Sequence, residues 1–295
     1  MRETLKRLRN ELRPIYGDRE TEAIIRIIFH HVKGWSLTDM LIHEPEELSP
    51  FIKSEIEGIL ERLKRHEPIQ YITGEARFHG LELHVTPDVL IPRPETAELV
   101  DIIADDADGR EDLRVLDIAT GSGCIAIALA RTLKFAKVTA LDVSAAALEV
   151  ARGNDRELRT GVTFIEADIF KWPEDEENEG DSSGRGAVQG RFDVIVSNPP
   201  YIDESEKTGM DPNVTDYEPH LALFVPDDDP LRFYRRIANV GRLLLVKGGR
   251  LYFEINPRHA KEMVGLLKNN GYEDVEVIRD SYGKERFVKC SLLNA

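Results

Sequence analysis

The spacing of the hydrophobic residues changes about a quarter of the way along this chain. Near the N-terminus apolar residues recur every three or four positions, as at Leu5, Leu8 and Leu12, and this period predicts amphipathic helices. Four polar or small residues are expected to cap or end these helices: Ser36, Ser49, Gly17 and Gly34. The pattern predicts a small helical domain at residues 1–77, suited to recognition or packing.

A strand-like segment follows the helices. Apolar residues from Phe78 to Val85 fall in a strand pattern around Gly80, and three prolines stiffen the stretch between Pro87 and Pro94. We interpret residues 78–93 as a β-hairpin and linker between two domains.

Residues 94–295 alternate short β-rich runs with helical stretches. The predicted strands are 114–119, 137–143, 162–168, 192–198, 250–255, 275–278 and 286–292. The predicted helices are 124–133, 144–158, one opening at Asp229-Pro230, and one from Asn256-Pro257 to about Gly271. Alternating strands and helices predict an α/β, Rossmann-like domain with a mostly parallel sheet of seven strands and helices on both faces. The last two strands predict an antiparallel hairpin at one edge.

Residues 174–190 interrupt this alternation. The segment is acidic, rich in glycine and serine, and nearly free of large apolar side chains. Because it offers little surface to bury, we expect a flexible surface loop there.

Composition narrows the classes of function. The formal net charge of −15 argues against a protein that binds nucleic-acid backbones, which usually presents a basic surface. No apolar run approaches the ~18–20 residues that span a membrane, and the charged N-terminus is not a secretory signal. The two cysteines, Cys124 and Cys290, are far apart and lack metal-ligand spacing. We expect a cytoplasmic protein without disulfides or a metal site.

The first predicted strand leads into a loop with the features of a cofactor site. The loop contains Asp117, Ala119, Thr120, Gly121, Ser122 and Gly123 and runs into an apolar helix. Its glycines permit a tight turn and the close approach of a ligand. Asp142 ends the next strand, where its carboxylate can bind two ribose hydroxyls of an adenosine.

Two cofactor classes fit this loop. The pattern Gly121-x-Gly123-x-x-Ala126 also occurs in dinucleotide-binding proteins, and a tight turn without any ligand stays open as well. Asp117 favours S-adenosylmethionine, because its carboxylate would repel a pyrophosphate but suits the ammonium group of a methionine moiety.

A rigid asparagine ends the fourth predicted strand. Asn198 is followed by Pro199, Pro200 and Tyr201, and the two prolines both end the strand and fix the backbone. The segment resembles the Asn-Pro-Pro-Tyr signature of methyltransferases that act on planar nitrogens. That resemblance implies that Asn198 and the carbonyl of Pro199 accept the two N–H groups of such a nitrogen, while Tyr201 walls the site.

Longer segments narrow the resemblance. The runs PIQYITGEARFHG (68–80), LIPRPETAELV (90–100), YEPHLALFVPDDDPLRFYRRI (217–237) and RDSYGKERFV (279–288) are similar to those of the release factor glutamine methyltransferases. The resemblance implies an enzyme that methylates the glutamine of the Gly-Gly-Gln motif in class I peptide-chain release factors. It also implies that S-adenosylmethionine contacts the loop 119–123, Asp142, Asp168, Ile169 and Asn198, and that the substrate glutamine meets residues 198–201.

The chain departs from the family pattern at two site positions. Ala119 replaces a usual glycine, and its methyl group is expected to be tolerated if the backbone φ is negative. Ile169 stands where an aromatic residue beside the adenine is expected. The acidic segment 174–190 resembles an insertion. Arg93, Glu95 and Thr96 are expected either to shape the cleft or to serve as ordinary salt-bridge and capping residues.

Other functions remain open at this point. A methyltransferase for a glutamine of a ribosomal protein shares all of these features, and an adenine N6-methyltransferase of DNA or RNA shares Asn-Pro-Pro-Tyr. A dehydrogenase would need a hydride-transfer site, for which no candidate residue stands out. We expect a monomer that binds release factors, with no direct contact to nucleic acid or membrane.

Overall fold

The computed structural model describes residues 1–172 and 191–293. The predicted acidic loop 174–190 lies outside the described residues. The chain divides into two compact units, each with its own hydrophobic core. The helical unit comprises Met1–Glu75 and Asp211–Tyr217, and the sheet unit comprises Ala76–Met210 and Glu218–Ala295.

The helical unit contains α1 (Arg2–Lys33), α2 (Leu37–Ile42), α3 (Pro50–Leu63), α4 (Ile69–Thr73) and the short α8 (Pro212–Thr215). The predicted caps are confirmed: Ser36 accepts a hydrogen bond from Asp39 N, and Ser49 accepts one from Ile52 N. Gly34 ends α1 in the left-handed conformation, with φ of 66°. Gly17 has a φ of 72° and a ψ of 174°, which lie outside the helical region, so α1 consists of two helices that meet at a kink there. The predicted helix stop at Gly17 is therefore confirmed.

The sheet unit begins with a hairpin of β1 (Glu75–Phe78) and β2 (Leu81–His84), whose first residue still belongs to the helical unit. The large sheet contains β3 (Arg114–Ile118), β4 (Lys137–Asp142), β5 (Thr163–Glu166), β6 (Phe192–Ser197), β9 (Leu245–Glu254), β10 (Glu273–Arg279) and β11 (Glu285–Leu292). Its helices are α5 (Pro94–Ala107), α6 (Cys124–Thr132), α7 (Ala145–Leu158), α9 (Arg232–Leu244) and α10 (Ala260–Asn269).

The seven strands lie in the order β10-β11-β9-β6-β3-β4-β5. The pairs from β9 to β5 are parallel, whereas β11 is antiparallel to both of its neighbours. The predicted fold class, a mostly parallel seven-stranded sheet with an antiparallel edge, is therefore confirmed. Because β3, β4, β5 and β6 are parallel neighbours, the loops that follow them meet at one edge of the sheet.

Some boundaries differ from the prediction. Strand β9 begins at Leu245 rather than Arg250, because Gly248 and Gly249 lie within the strand and hide its apolar pattern. Helix α9 begins at Arg232, three residues after the predicted opening at Asp229.

Two further elements carry weak sequence signals. Helix α5 begins with Pro94, whose missing N–H costs nothing in the first turn of a helix, so the proline-rich stretch concealed a helix start. A short parallel pair, β7 (Ile202–Asp203) and β8 (Phe224–Val225), was too brief to predict. Within the described part of the chain, no helix is long and apolar enough to cross a membrane.

Candidate active site

A cavity of about 410 Å³ opens where the loops after β3, β4, β5 and β6 meet. This volume lies in the usual range for sites that bind small molecules. Nine of the predicted site residues line its wall: Ala119, Thr120, Gly121, Ser122, Asp142, Asp168, Ile169, Asn198 and Pro200. The structure thus brings the predicted cofactor loop and the predicted acceptor segment to opposite ends of one cleft in the sheet unit.

Four predicted residues lie behind the wall. Asp117 is fully buried beneath the loop, where it accepts a hydrogen bond of 2.6 Å from Thr120 Oγ1. Gly123 and Pro199 are buried as well. Tyr201 packs against the hydrophobic core beside β9, and its hydroxyl donates to Glu254. These four residues therefore support the wall from behind in this structure.

Asp142 connects the cofactor loop to the next helix. Its Oδ2 accepts a hydrogen bond of 2.8 Å from Gly121 N, and its Oδ1 accepts one of 3.0 Å from Ser144 N. A carboxylate has about four lone-pair positions, so each oxygen keeps capacity for one more donor. Burial raises the pKa of Asp142, and these backbone donors oppose the rise. The side chain is thus held rigidly with acceptors available to two hydroxyl groups.

The loop itself requires left-handed backbone at three positions. Ala119, Gly121 and Gly123 have φ values of 60°, 55° and 82°. The condition under which the methyl group of Ala119 was expected to be tolerated, a negative φ, is therefore not met. The loop reverses direction there so that Thr120 N can donate to Leu141 O at 3.1 Å, and this turn places an alanine in a conformation that favours glycine.

Gly123 is required for packing as well as for its φ. A Cβ at this position would lie 3.1 Å from Ala151 Cβ and 3.1 Å from Ile127 Cδ1. Asn154, on the same helix α7 as Ala151, donates to Ser122 O at 3.0 Å and so fixes the loop from the same side. The close contact between α6 and α7 thereby fixes the position of the loop beneath the cavity.

The carboxyl group of Asp117 has an unusually high pKa. Burial raises its pKa to about 7, although the hydrogen bond from Thr120 opposes the rise. Its Oδ1 is buried and has no hydrogen-bond partner among the described residues. A carboxyl group so placed favours a cation on the other side of the loop.

The aromatic wall lies one residue later than the family pattern suggests. Ile169 is buried in the core and touches the cavity, whereas Phe170 and Phe233 present aromatic rings to it, with centroids 5.0 Å apart. Arg232 lies over Phe170 at 4.7 Å from the ring centre. Asp168 accepts a hydrogen bond from Phe170 N at 2.9 Å and so orients this turn. The planes of the two rings are tilted by 57°, so the cavity wall offers two differently oriented aromatic rings that can contact a base.

Asn198 is half-buried at the opposite end of the cleft. Its Nδ2 donates to Thr96 Oγ1 at 3.3 Å, and Thr96 Oγ1 donates to Glu254 Oε2 at 2.6 Å. Within residues 1–172 and 191–293, no group donates a hydrogen bond to Asn198 Oδ1. The carbonyl oxygen of this side chain is therefore available to a donor that enters the cavity.

Two segments close the acceptor end of the cavity. Glu218 is buried, accepts hydrogen bonds from Ile91 N at 3.1 Å and Arg93 Nη2 at 2.5 Å, and so joins the stretch 88–93 to the stretch 219–226. Both stretches line the cavity. Arg93 and Thr96 line the cavity, and Arg93 also forms a salt bridge with Glu218, so Arg93 meets both of the expectations for this stretch.

Sequence reasoning missed several of these residues. Glu218, Phe170, Phe233, Arg232 and Glu254 were not singled out. The first of these lies in the run 217–237, whose similarity to a known family was a usable signal, and so do Arg232 and Phe233. Glu254 carries no local signal, because it is one acidic residue at the end of an ordinary strand.

Comparisons with known proteins agree with this geometry. Residues 3–74 match the PrmC N-terminal domain, and residues 110–273 match a methyltransferase domain family. A release factor glutamine methyltransferase of Bacteroides thetaiotaomicron is 48% identical over 285 residues, which cover 96% of this chain and 97% of that protein. One of Flavobacterium psychrophilum is 41% identical and covers 95% of each chain.

Solved structures show the same fold. A 16S rRNA N2 methyltransferase of Thermus thermophilus, solved with AdoMet and guanosine, superposes with a TM-score of 0.50 at 18% identity. The match covers 74% of this chain and 49% of that chain. At this identity the likeness shows the fold alone.

Proposed function

The chain belongs to the release factor glutamine methyltransferase family, and on this premise we propose its reaction and substrate. The protein transfers a methyl group from S-adenosylmethionine to the side-chain amide nitrogen, N5, of the glutamine in the Gly-Gly-Gln motif of class I peptide-chain release factors. One observation carries the proposal. Asn198, whose carbonyl oxygen accepts no hydrogen bond within the described residues, lines the same cavity as Asp142, whose carboxylate is fixed by two backbone N–H groups.

The cavity fits the cofactor. Asp142 keeps an acceptor position on each oxygen for two ribose hydroxyls, and the rings of Phe170 and Phe233 suit an adenine. The buried Asp117 carboxyl lies beneath the loop and attracts the ammonium group of a methionine moiety. When bound, S-adenosylmethionine supplies an electrophilic methyl group on a positively charged sulfur.

The residues of the acceptor end orient a weak nucleophile. An amide nitrogen is conjugated with its carbonyl, so it needs precise alignment rather than prior deprotonation. Asn198 Oδ1 and the backbone carbonyl of Pro199 accept its two N–H groups and stabilise the positive charge that grows on nitrogen. The nitrogen forms a bond to the methyl carbon as the carbon–sulfur bond breaks, and the bonding pair stays on sulfur. The nitrogen then releases one proton to water.

The remaining Asn-Pro-Pro-Tyr residues support this arrangement. Pro199 and Pro200 fix the backbone that carries the two acceptors. We retain the predicted substrate contact of Pro200 and Tyr201, although the Tyr201 hydroxyl is directed to Glu254 in this structure. The other predicted cofactor contacts are with residues 119–122, Asp168 and Ile169, for which the shared cavity wall is the support. We retain the predicted contact of Gly123 as well, although Gly123 lies behind the wall in this structure.

The domain organisation follows the same proposal. Residues 1–77 recognise the release factor, residues 78–93 link the two parts, and residues 94–295 bind the cofactor and transfer the methyl group. The matches at 3–74 and 110–273 support this division. We also propose that the protein acts as a cytoplasmic monomer without direct contact to nucleic acid, supported by its charge of −15 and its free cysteines.

A methyl-transfer assay with labelled S-adenosylmethionine tests the substrate. The acceptors are a purified class I release factor, its variant with the Gly-Gly-Gln glutamine changed to alanine, total ribosomal protein, and DNA. Label on the release factor that disappears with the glutamine supports the proposal. Label on ribosomal protein or DNA would instead establish a different acceptor and overturn the proposed substrate.

A further inference from the structure

A buried carboxylate lies behind the acceptor end of the cleft. Glu254, at the end of β9, is 1% exposed. Its Oε2 accepts a hydrogen bond from Thr96 Oγ1 at 2.6 Å, and its Oε1 accepts one from the Tyr201 hydroxyl at 3.0 Å. A buried charge is costly unless it is hydrogen-bonded in this way. The proposed reaction gives Glu254 no contact with the substrate, so its presence calls for another function.

The two proline residues after Asn198 do not determine the orientation of its side-chain amide. Pro199 fixes the backbone beside Asn198, but it does not fix which way the terminal amide of Asn198 points. The two orientations of that amide have nearly the same shape, and its last torsion is roughly two-fold. Only hydrogen bonding distinguishes the orientation that presents Oδ1 to the cavity from the one that presents Nδ2.

The hydrogen-bond chain provides this distinction. An ionised carboxylate can only accept hydrogen bonds, so the single proton of the Thr96 hydroxyl points to Glu254. The hydroxyl then offers Asn198 only a lone pair. The Asn198 group that faces it must be a donor, which is Nδ2, and the carbonyl oxygen is therefore turned away from Thr96.

We propose that Glu254, acting through Thr96, is a positioning residue that sets the orientation of the Asn198 amide so that Oδ1 meets the substrate nitrogen. The inference rests on the proposed function, in which Asn198 accepts an N–H group of the substrate glutamine. In the opposite orientation two N–H donors face each other, and the charge that grows on nitrogen meets the positive end of an amide dipole.

The surroundings hold Glu254 in place for this role. The Tyr234 hydroxyl donates to Glu254 O at 2.9 Å, and the ring of Tyr234 packs edge-on against Phe253 at 5.2 Å. Burial raises the pKa of Glu254, and the hydrogen bonds from Thr96 and Tyr201 oppose that rise. The two hydroxyl donors therefore both anchor the carboxylate and favour its acceptor-only form.

Paired substitutions at Thr96 test the inference. Thr96→Val keeps the shape but removes the hydroxyl, and Thr96→Ser keeps the hydroxyl. We expect the valine variant to lower kcat about tenfold, which corresponds to about 1.4 kcal/mol. The serine variant should stay within about threefold of the parent, and both should bind S-adenosylmethionine with unchanged Kd. A parental kcat in a folded Thr96→Val protein would overturn the inference.

A double-substitution cycle separates positioning from general damage. If Thr96 acts through Asn198, Thr96→Val should have no further effect on kcat in an Asn198→Ala protein. An equal loss in both backgrounds would overturn the positioning role while leaving the proposed function intact. Near-normal turnover of Asn198→Ala alone would instead contradict the proposed function itself.

A second variant covers the case in which Thr96→Val does not fold, as judged by its thermal unfolding. Glu254→Gln keeps the shape but replaces one acceptor oxygen by a donor. We expect it to lower kcat without changing the Kd of S-adenosylmethionine, and to have no further effect in Asn198→Ala. A parental kcat, or an equal loss in both backgrounds, would contradict the inference.

Discussion

The two ends of the cleft are built by different means. At the cofactor end, the Asp142 side chain accepts hydrogen bonds from the backbone N–H groups of Gly121 and Ser144. All three residues lie at the ends of two neighbouring strands, β3 and β4, or in the loops that follow them. At the acceptor end, Asn198 is held by Thr96 and Glu254, side chains from a distant helix and a distant strand. The cofactor end is thus held by residues that lie close together in the sequence. The acceptor end is held by residues that only the folded protein brings together.

This difference leads to different consequences for substitution. Changes at the cofactor end should alter cofactor affinity and the stability of the loop. Changes at the acceptor end should alter the rate of the chemical step, because they affect charge stabilisation in the transition state.

The largest expected effect concerns the acceptor end. Asn198→Ala should lower kcat by at least about 100-fold, the scale for loss of a preorganised contact in the transition state. The Kd of S-adenosylmethionine should change little. Single-turnover kinetics and calorimetric titration measure the two quantities. Asn269→Ala, at an exposed asparagine on α10, is the matched control and should keep full activity. Loss of cofactor affinity parallel to the loss of rate would remove the distinction between the two ends.

The next expected effect concerns the cofactor end and the influence of the buried Asp117 on how stability depends on pH. Its folded pKa of about 7 is raised above the ordinary value, so the native state binds a proton that the unfolded state releases. The parent protein should therefore lose stability as the pH rises from about 4 to about 7, and Asp117→Asn should not share this loss. The free energy of unfolding is measured in urea without cofactor for both proteins. The value for Asp117→Asn minus the value for the parent should be on the order of 2–3 kcal/mol larger at pH 8 than at pH 5.

The same variant has a second measurable property. If the Asp117 carboxyl attracts the ammonium group of the cofactor, Asp117→Asn should weaken S-adenosylmethionine binding at pH 8. Equal pH dependence of stability in parent and variant would show that Asp117 does not titrate in this range.

A smaller effect is expected at Asp142. Asp142→Ala removes the acceptors for the ribose hydroxyls and should raise the Kd of S-adenosylmethionine roughly 30-fold, about 2 kcal/mol, which is the scale of one hydrogen bond to a charged group. The kcat at saturating cofactor should stay within about threefold of the parent. Asp142→Asn keeps one acceptor oxygen, so its affinity for S-adenosylmethionine should lie between those of the parent protein and Asp142→Ala. Unchanged affinity in Asp142→Ala would contradict the ribose contact.

The smallest effect concerns the backbone at Ala119. Because this alanine has a φ of 60°, Ala119→Gly should stabilise the protein by about 0.5–1 kcal/mol in urea unfolding. The matched control is Ala146→Gly, at an exposed position in α7, which should destabilise by about 1 kcal/mol. Destabilisation by both substitutions would show that the left-handed conformation costs Ala119 nothing.

The same contrast explains how much could be predicted from the sequence. The sheet, the loop at residues 119–123 and Asp142 were predictable, because each is signalled by neighbouring residues along the chain. The positive φ of Ala119 could not be predicted, since the residue type favours negative values and the fold overrides that preference. Phe170 was missed because the family pattern placed the aromatic residue one position earlier.

The acceptor end was predictable only in part. Asn198 and its two prolines form a contiguous motif, so the position of the asparagine could be inferred. Thr96 was noticed for its similarity to a known family, but its partner Glu254 was not. Their contact joins residues 158 positions apart, and nothing local distinguishes Glu254 among the 54 acidic residues of the chain.

The position of Glu254 in the chain also sets an order of assembly during synthesis. Every contact described for the cofactor loop involves residues before position 155, so these residues leave the ribosome early. The acceptor end must wait for Glu254, in the last strand but two of the large sheet. Because chains emerge from the N-terminus at about 5–20 residues per second, the two halves of the site become available seconds apart. A nascent chain of this enzyme therefore contains every residue that fixes the cofactor loop before it contains the carboxylate that orients Asn198.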